Sequence, residues 1–125
     1  MSGSVNITSF EVKSLARADE VRTPEKTRVE IVHLKDLTVG RFRLEPGWRW
    51  SDCVKPVVHT DLCQVPHAGY VCSGSLTVQM ADGTKKTLHE GESYTIPPGH
   101  DAWVEGDQPF TTVEFANSES YAKPS

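Results

Sequence analysis

No apolar run in this 125-residue chain exceeds two or three residues, Val57-Val58 being typical, which excludes a transmembrane helix. No basic cluster is longer than Lys85-Lys86, and the formal charge is −4, so neither nucleic acid nor an anionic membrane is an expected partner. The first residues, Met1 to Asn6, carry neither a basic stretch nor an apolar core, and no signal peptide is read there. Cysteine is sparse and odd in number, at three. A chain without a secretory signal is expected in the reducing cytoplasm, where a disulfide framework is not expected and each cysteine must be core, surface or ligand. No glycine-rich phosphate loop is present, and no histidine–acid arrangement stands near Ser73 or Ser75. Helical periodicity is nearly absent too, with Ser14 to Val21 offering one short turn at most.

Short runs with a period of two alternate instead with turn clusters. Thr27 to Leu34 places Val29, Ile31 and His33 on one face, and Thr38 to Leu44 follows. Trp48 and Trp50 are expected on one side of an extended segment, followed by an irregular loop from Ser51 to Pro56. Further strands are read at His67 to Ser73, Ser75 to Ala81, Lys85 to Leu88, Tyr94 to Ile96, Ala102 to Val104 and Phe110 to Phe115. Asp82-Gly83 reads as a type I′ hairpin turn, with positive φ at both residues. Eight to ten short strands without crossover helices predict an all-β sandwich or barrel in one domain. The expected organisation is an N-terminal extension over residues 1–26 with strand character near Val5 to Val12, a barrel over 27–116 and a polar tail over 117–125.

Two segments carry a family resemblance. Gly91-Glu92-Ser93-Tyr94-Thr95-Ile96-Pro97-Pro98-Gly99 fits Gly-x5-Pro-x-Gly and resembles the second cupin motif. Tyr70-Val71-Cys72-Ser73-Gly74 resembles the end of the first, with sixteen residues between Gly74 and Gly91. The resemblance implies a cupin-type jelly-roll β-barrel, and it spans roughly Pro46 to Phe115. Counting back from Gly74, the three metal-ligand positions of the family's first motif fall on Asp61, Cys63 and His67. The histidine position of the second motif falls on Ala102, with His100 two residues earlier on the same strand face. The motif's opening glycine is replaced by Lys55.

The implied site is thus rebuilt around Cys63, His67 and His100, with Asp61, His59 or water as a fourth ligand. A thiolate and two neutral imidazoles are borderline soft, suiting one divalent ion, zinc first, with iron, nickel, copper or manganese as alternatives. Trp48, Trp50, Tyr70, Trp103 and Phe110 are expected to wall a pocket for a small-molecule ligand. Cys72 reads as core, Cys53 as neither core nor ligand, and His33 and His89 as histidines without chemistry. Three functions are compatible with these residues. The first is a metal-binding cupin acting on a small organic molecule, the second a non-catalytic metal or ligand-binding cupin, and the third a metal-free acid–base enzyme resembling carbohydrate-isomerising cupins. The resemblance also implies a homodimer formed by sheet contacts.

Overall fold

A computed structural model describes residues 7–115. Among the described residues nine strands follow one another: β1 (Glu20–Arg22), β2 (Thr27–His33), β3 (Thr38–Leu44), β4 (His67–Ser73), β5 (Ser75–Met80), β6 (Lys85–His89), β7 (Ser93–Ile96), β8 (His100–Glu105) and β9 (Phe110–Phe115). One sheet has the order β1-β2-β3-β9-β4-β7 and the other β6-β5-β8, every pair being antiparallel. Period-two alternation fixes which side chains meet between the sheets. Val29 and Ile31 of β2, Phe42 and Leu44 of β3, Val71 of β4, Leu76 and Val78 of β5, and Phe110 of β9 are all buried. On β3 the intervening Arg41 and Arg43 face water. Among the described residues no helix is long and apolar enough to cross a membrane.

The extended reading fails at Trp50. Two short helices, α1 (Trp50–Cys53) and α2 (Lys55–Val58), occupy the segment expected to be a strand end and an irregular loop. Pro56 sits in the first turn of α2, where its missing N–H has no helical partner to lose. Asp101 on β8 ties α1 down, accepting from the Ser51 N–H at 3.1 Å and the Ser51 hydroxyl at 3.0 Å. Both tryptophans are buried all the same, and Trp48 Nε1 donates to Thr27 Oγ1 at 2.9 Å.

The type I′ expectation also fails. Gly83 has φ +92° while Asp82 does not take positive φ; its carboxylate instead accepts the Thr84 N–H at 2.8 Å. Residues 7–12 form no strand, because polar side chains rather than a backbone ladder hold them: Asp36 accepts the Thr8 N–H and Glu11 accepts the Lys35 N–H. The edge of β2 is paired by β1 instead. Residues 1–6 and the 117–125 tail lie outside the described residues.

Gly74 is where the fold is least forgiving. Its φ is +79°, and a Cβ there would lie 2.3 Å from the Pro109 carbonyl oxygen. Gly74→Ala is expected to destabilise the chain by about 2–5 kcal/mol in urea unfolding, combining left-handed strain with overpacking. Gly83→Ala, whose Cβ would meet nothing within 4 Å, isolates the conformational part at about 1–2 kcal/mol.

Candidate metal centre

Three donors meet inside the barrel near one end of β4 and β8. His67 opens β4 and His100 opens β8, both facing inward and buried. Cys63 precedes β4 and pairs with His100 as an isolated antiparallel bridge. The Cys63 N–H donates to the His100 carbonyl at 2.8 Å, and the Gly99 N–H donates back to the Cys63 carbonyl at 2.7 Å. The glycine turn of the second motif therefore seats the cysteine. The ligand atoms of Cys63, His67 and His100 all lie within 4.8 Å of one another. The two imidazoles meet edge to face, with centroids 5.2 Å apart.

Each ring nitrogen has an assigned task. His67 Nδ1 donates to Glu114 Oε1 at 2.6 Å, and His100 Nδ1 donates to the Pro97 carbonyl at 2.8 Å. His67 Nε2 meets Cys63 Sγ at 3.6 Å, and the thiol also takes a hydrogen bond from the His100 imidazole. Zinc–sulfur and zinc–nitrogen bonds of about 2.3 and 2.0–2.1 Å at a tetrahedral angle put their donors roughly 3.6 Å apart. The Cys63–His67 spacing matches that of two ligands on one ion. Burial pushes the Cys63 thiol up, but hydrogen bonds from His100 and His67 outweigh it and hold the thiol at about 6. Burial pushes His67 down, and the Glu114 charge, with hydrogen bonds to Cys63 and Glu114, overcomes this and raises it to about 10. A metal ligand needs a deprotonated thiol, and this site favours one.

Glu114 is the residue against this cluster that the motif comparison did not single out. It shares inward parity on β9 with Phe110 and Thr112, and all three are buried. Its second oxygen accepts from Tyr94 Oη at 2.5 Å. Gly69 makes room for this arrangement, since a Cβ there would fall 2.8 Å from Tyr94 Oη and 2.9 Å from Glu114 Cγ. A carboxylate behind a ligating imidazole fixes its tautomer and orientation. Glu114→Gln is expected to weaken zinc binding about 10- to 100-fold in a chelator competition.

Several expected participants stand elsewhere. His59 caps α2 with φ +62° and is exposed, and Asp61 is exposed and paired with Lys55 at 3.5 Å. No unbroken strand links residue 59 to residue 67, so their shared parity does not bring them to one face. Tyr70 and Cys72 have opposite parity to His67 on β4 and are exposed on the outer face, so Tyr70 is no pocket wall and Cys72 is not core. Cys53, by contrast, is buried in α1 as core. Trp103 points outward from β8, stacked under the Arg49 guanidinium at 4.3 Å. Trp48, Trp50 and Phe110 do line a cavity of about 30 Å³ beside His67, His100 and Glu114. Ala102 lines it too, so a methyl group stands where the resemblance places a fourth donor.

No protein-family model and no curated protein sequence matches the chain. Solved structures do. The polyketide cyclase RemF from Streptomyces resistomycificus aligns with a TM-score of 0.61 and 15% identity, over 86% of this chain and 79% of that one. An RmlC-like cupin from Shewanella frigidimarina aligns with a TM-score of 0.59 and 16% identity, over 86% and 89%. The EutQ protein of Clostridium difficile aligns at 0.53 and 16%, over 77% of this chain; the chain spans 65% of the EutQ chain. With its strand order and its two motif segments, this likeness gives the chain the jelly-roll fold of the cupin superfamily.

Proposed function

We propose that the protein is a metal-binding cupin that holds one divalent transition-metal ion through Cys63 Sγ, His67 Nε2 and His100 Nε2. The observation that carries this reading is the convergence of three buried donors whose other ring nitrogens are already committed to Glu114 and Pro97. Zinc fits the donor set best, and iron, nickel, copper and manganese are its competitors. With His59 and Asp61 remote, the fourth position falls to water or a small ligand on the Ala102 side. An ion so placed supplies a Lewis acid, or lowers the pKa of a bound water towards about 7. Cys63 holds the ion as thiolate, Glu114 orients His67, and Trp48, Trp50 and Phe110 exclude bulk water. A fourth position left to water, in a cavity of about 30 Å³ that has room for one, would be an open site rather than a closed structural one, and chemistry on a small organic molecule is the reading that follows.

Cobalt substitution tests both parts. One cobalt per chain with a visible spectrum that azide perturbs is the expected result. Absence of stoichiometric cobalt would overturn the metal reading, and a spectrum indifferent to azide would favour a closed, non-catalytic site. The His67–Glu114 contact favours a second reading, acid–base chemistry by His67 without an ion, for which Cys63→Ser would leave activity unchanged.

A reducing, cytoplasmic setting fits three free cysteines. We also propose a homodimer; Phe10 and Val12, 95% and 84% exposed, are apolar surface that a second copy would cover. A monomeric mass in solution would contradict it.

A further inference from the structure

A second cavity, of about 240 Å³, lies where the barrel is not closed by hydrogen bonds. β6 and β7 are consecutive in the chain, yet each is the terminal strand of a different sheet, so a seam opens between them. Val78 and Met80 of β5, Leu88 of β6 and Ile96 of β7 line this seam. Lys86 lines it as well and, among the described residues, is the one charged side chain on its wall. The register explains why. Lys86 stands opposite Val78 in the β5–β6 pair, and cross-strand partners share a face. Val78 is buried between the sheets, so Lys86 shares its face of β6 and stands solvent-exposed at the rim of the seam, whereas the Lys85 ammonium lies 5.9 Å from the outward Trp103 ring. Ile96 lines both this cavity and the small one beside His67 and His100. In the β4–β7 pair Ile96 stands opposite His67. The seam cavity therefore adjoins the donor cluster with one isoleucine side chain between them.

We propose that the seam cavity is a binding site for small carboxylic acids with an apolar body, the carboxylate held at the rim by Lys86 and the apolar end directed at Ile96. Apolar cavities of roughly 150 Å³ accept benzene, so this one has room for a benzoate-sized guest. No acidic side chain lines it to repel an anion. The site goes beyond the metal reading and does not need an ion, although it sets the class of molecule that would stand next to one.

Benzoate and its neutral analogue benzyl alcohol, titrated into metal-free and cobalt-loaded protein and followed by amide chemical shifts, test the assignment. Benzoate is expected to bind about fivefold more tightly than benzyl alcohol, with Lys86→Gln removing the difference. Shifts are expected at Val78, Leu88 and Thr95. Equal affinities in the wild-type chain, benzoate binding undiminished by Lys86→Gln, or shifts confined to the outer arginines Arg28, Arg41 and Arg43 would overturn it. Benzoate binding in metal-free protein that also fails to take up cobalt would leave this site standing and end the metal reading alone.

Discussion

Cys63→Ser is expected to lower zinc affinity by about 100- to 1000-fold in competition with a chromophoric chelator. Structural zinc sites bind with roughly 10–16 kcal/mol shared over four donors, or about 2.5–4 kcal/mol per donor. A serine hydroxyl does not deprotonate readily and is a poor replacement for a thiolate already held at about 6. His67→Ala removes a donor of similar worth and does a second kind of damage. It leaves the Glu114 carboxylate buried without its imidazole partner, and breaking a buried pair on one side costs about 3–5 kcal/mol of stability. The two variants are therefore expected to differ in urea unfolding while resembling each other in zinc loss. Pairing His67→Ala with Glu114→Gln should recover part of the stability and none of the affinity. If His67→Ala bound zinc like the wild type, the imidazole would not be a ligand.

Zinc affinity is expected to rise about tenfold per pH unit between roughly pH 7 and 9. In that range the metal-free pair stands as Cys63 thiolate and His67 imidazolium, since the thiol is held at about 6 and the imidazole at about 10. Binding at His67 Nε2 must release the imidazolium proton, one per ion; below pH 6 Cys63 adds a second and the slope steepens. Stability of the metal-free chain follows a different course. The lowered Cys63 contributes stability that is complete above its ordinary value of 9.0 and is lost as pH falls to about 6. The raised His67 contributes stability that is complete below 6.5 and is lost as pH rises through about 10. Between pH 6.5 and 9 the two slopes oppose each other, so this pair leaves metal-free stability nearly flat. A sloping affinity beside a flat stability is the signature to look for. A pH-independent zinc affinity over this range would mean that His67 carries no proton to displace.

The sheets were readable in the sequence because alternation and turn glycines act locally. Thr38–Leu44, His67–Ser73 and Phe110–Phe115 run between the limits that their patterns set. Alternation alone did not reveal that Trp50 starts a helix, since burial of Trp48 and Trp50 suits a strand as well as a turn of helix. Cys63, His67 and His100 could be named because two glycine turns fix their offsets in the chain, and the structure brings these three together. His59 and Asp61 could not be placed by parity, because parity is meaningful only along a continuous ladder and the chain from 59 to 66 forms none. Glu114 was within reach. An acidic residue in phase with Phe110 and Thr112 sits on a core face, and a buried carboxylate demands a partner. Tyr70, Cys72 and Trp103 failed as interior residues for the converse reason, since each is out of phase with a buried neighbour on its strand.

Absorption fine structure at the metal edge of the zinc-loaded chain asks the central question directly. The expected first shell is one sulfur at about 2.3 Å with two imidazole nitrogens and one further light atom at about 2.0–2.1 Å. A shell of nitrogen and oxygen alone, without sulfur, would contradict the placement of the ion at Cys63.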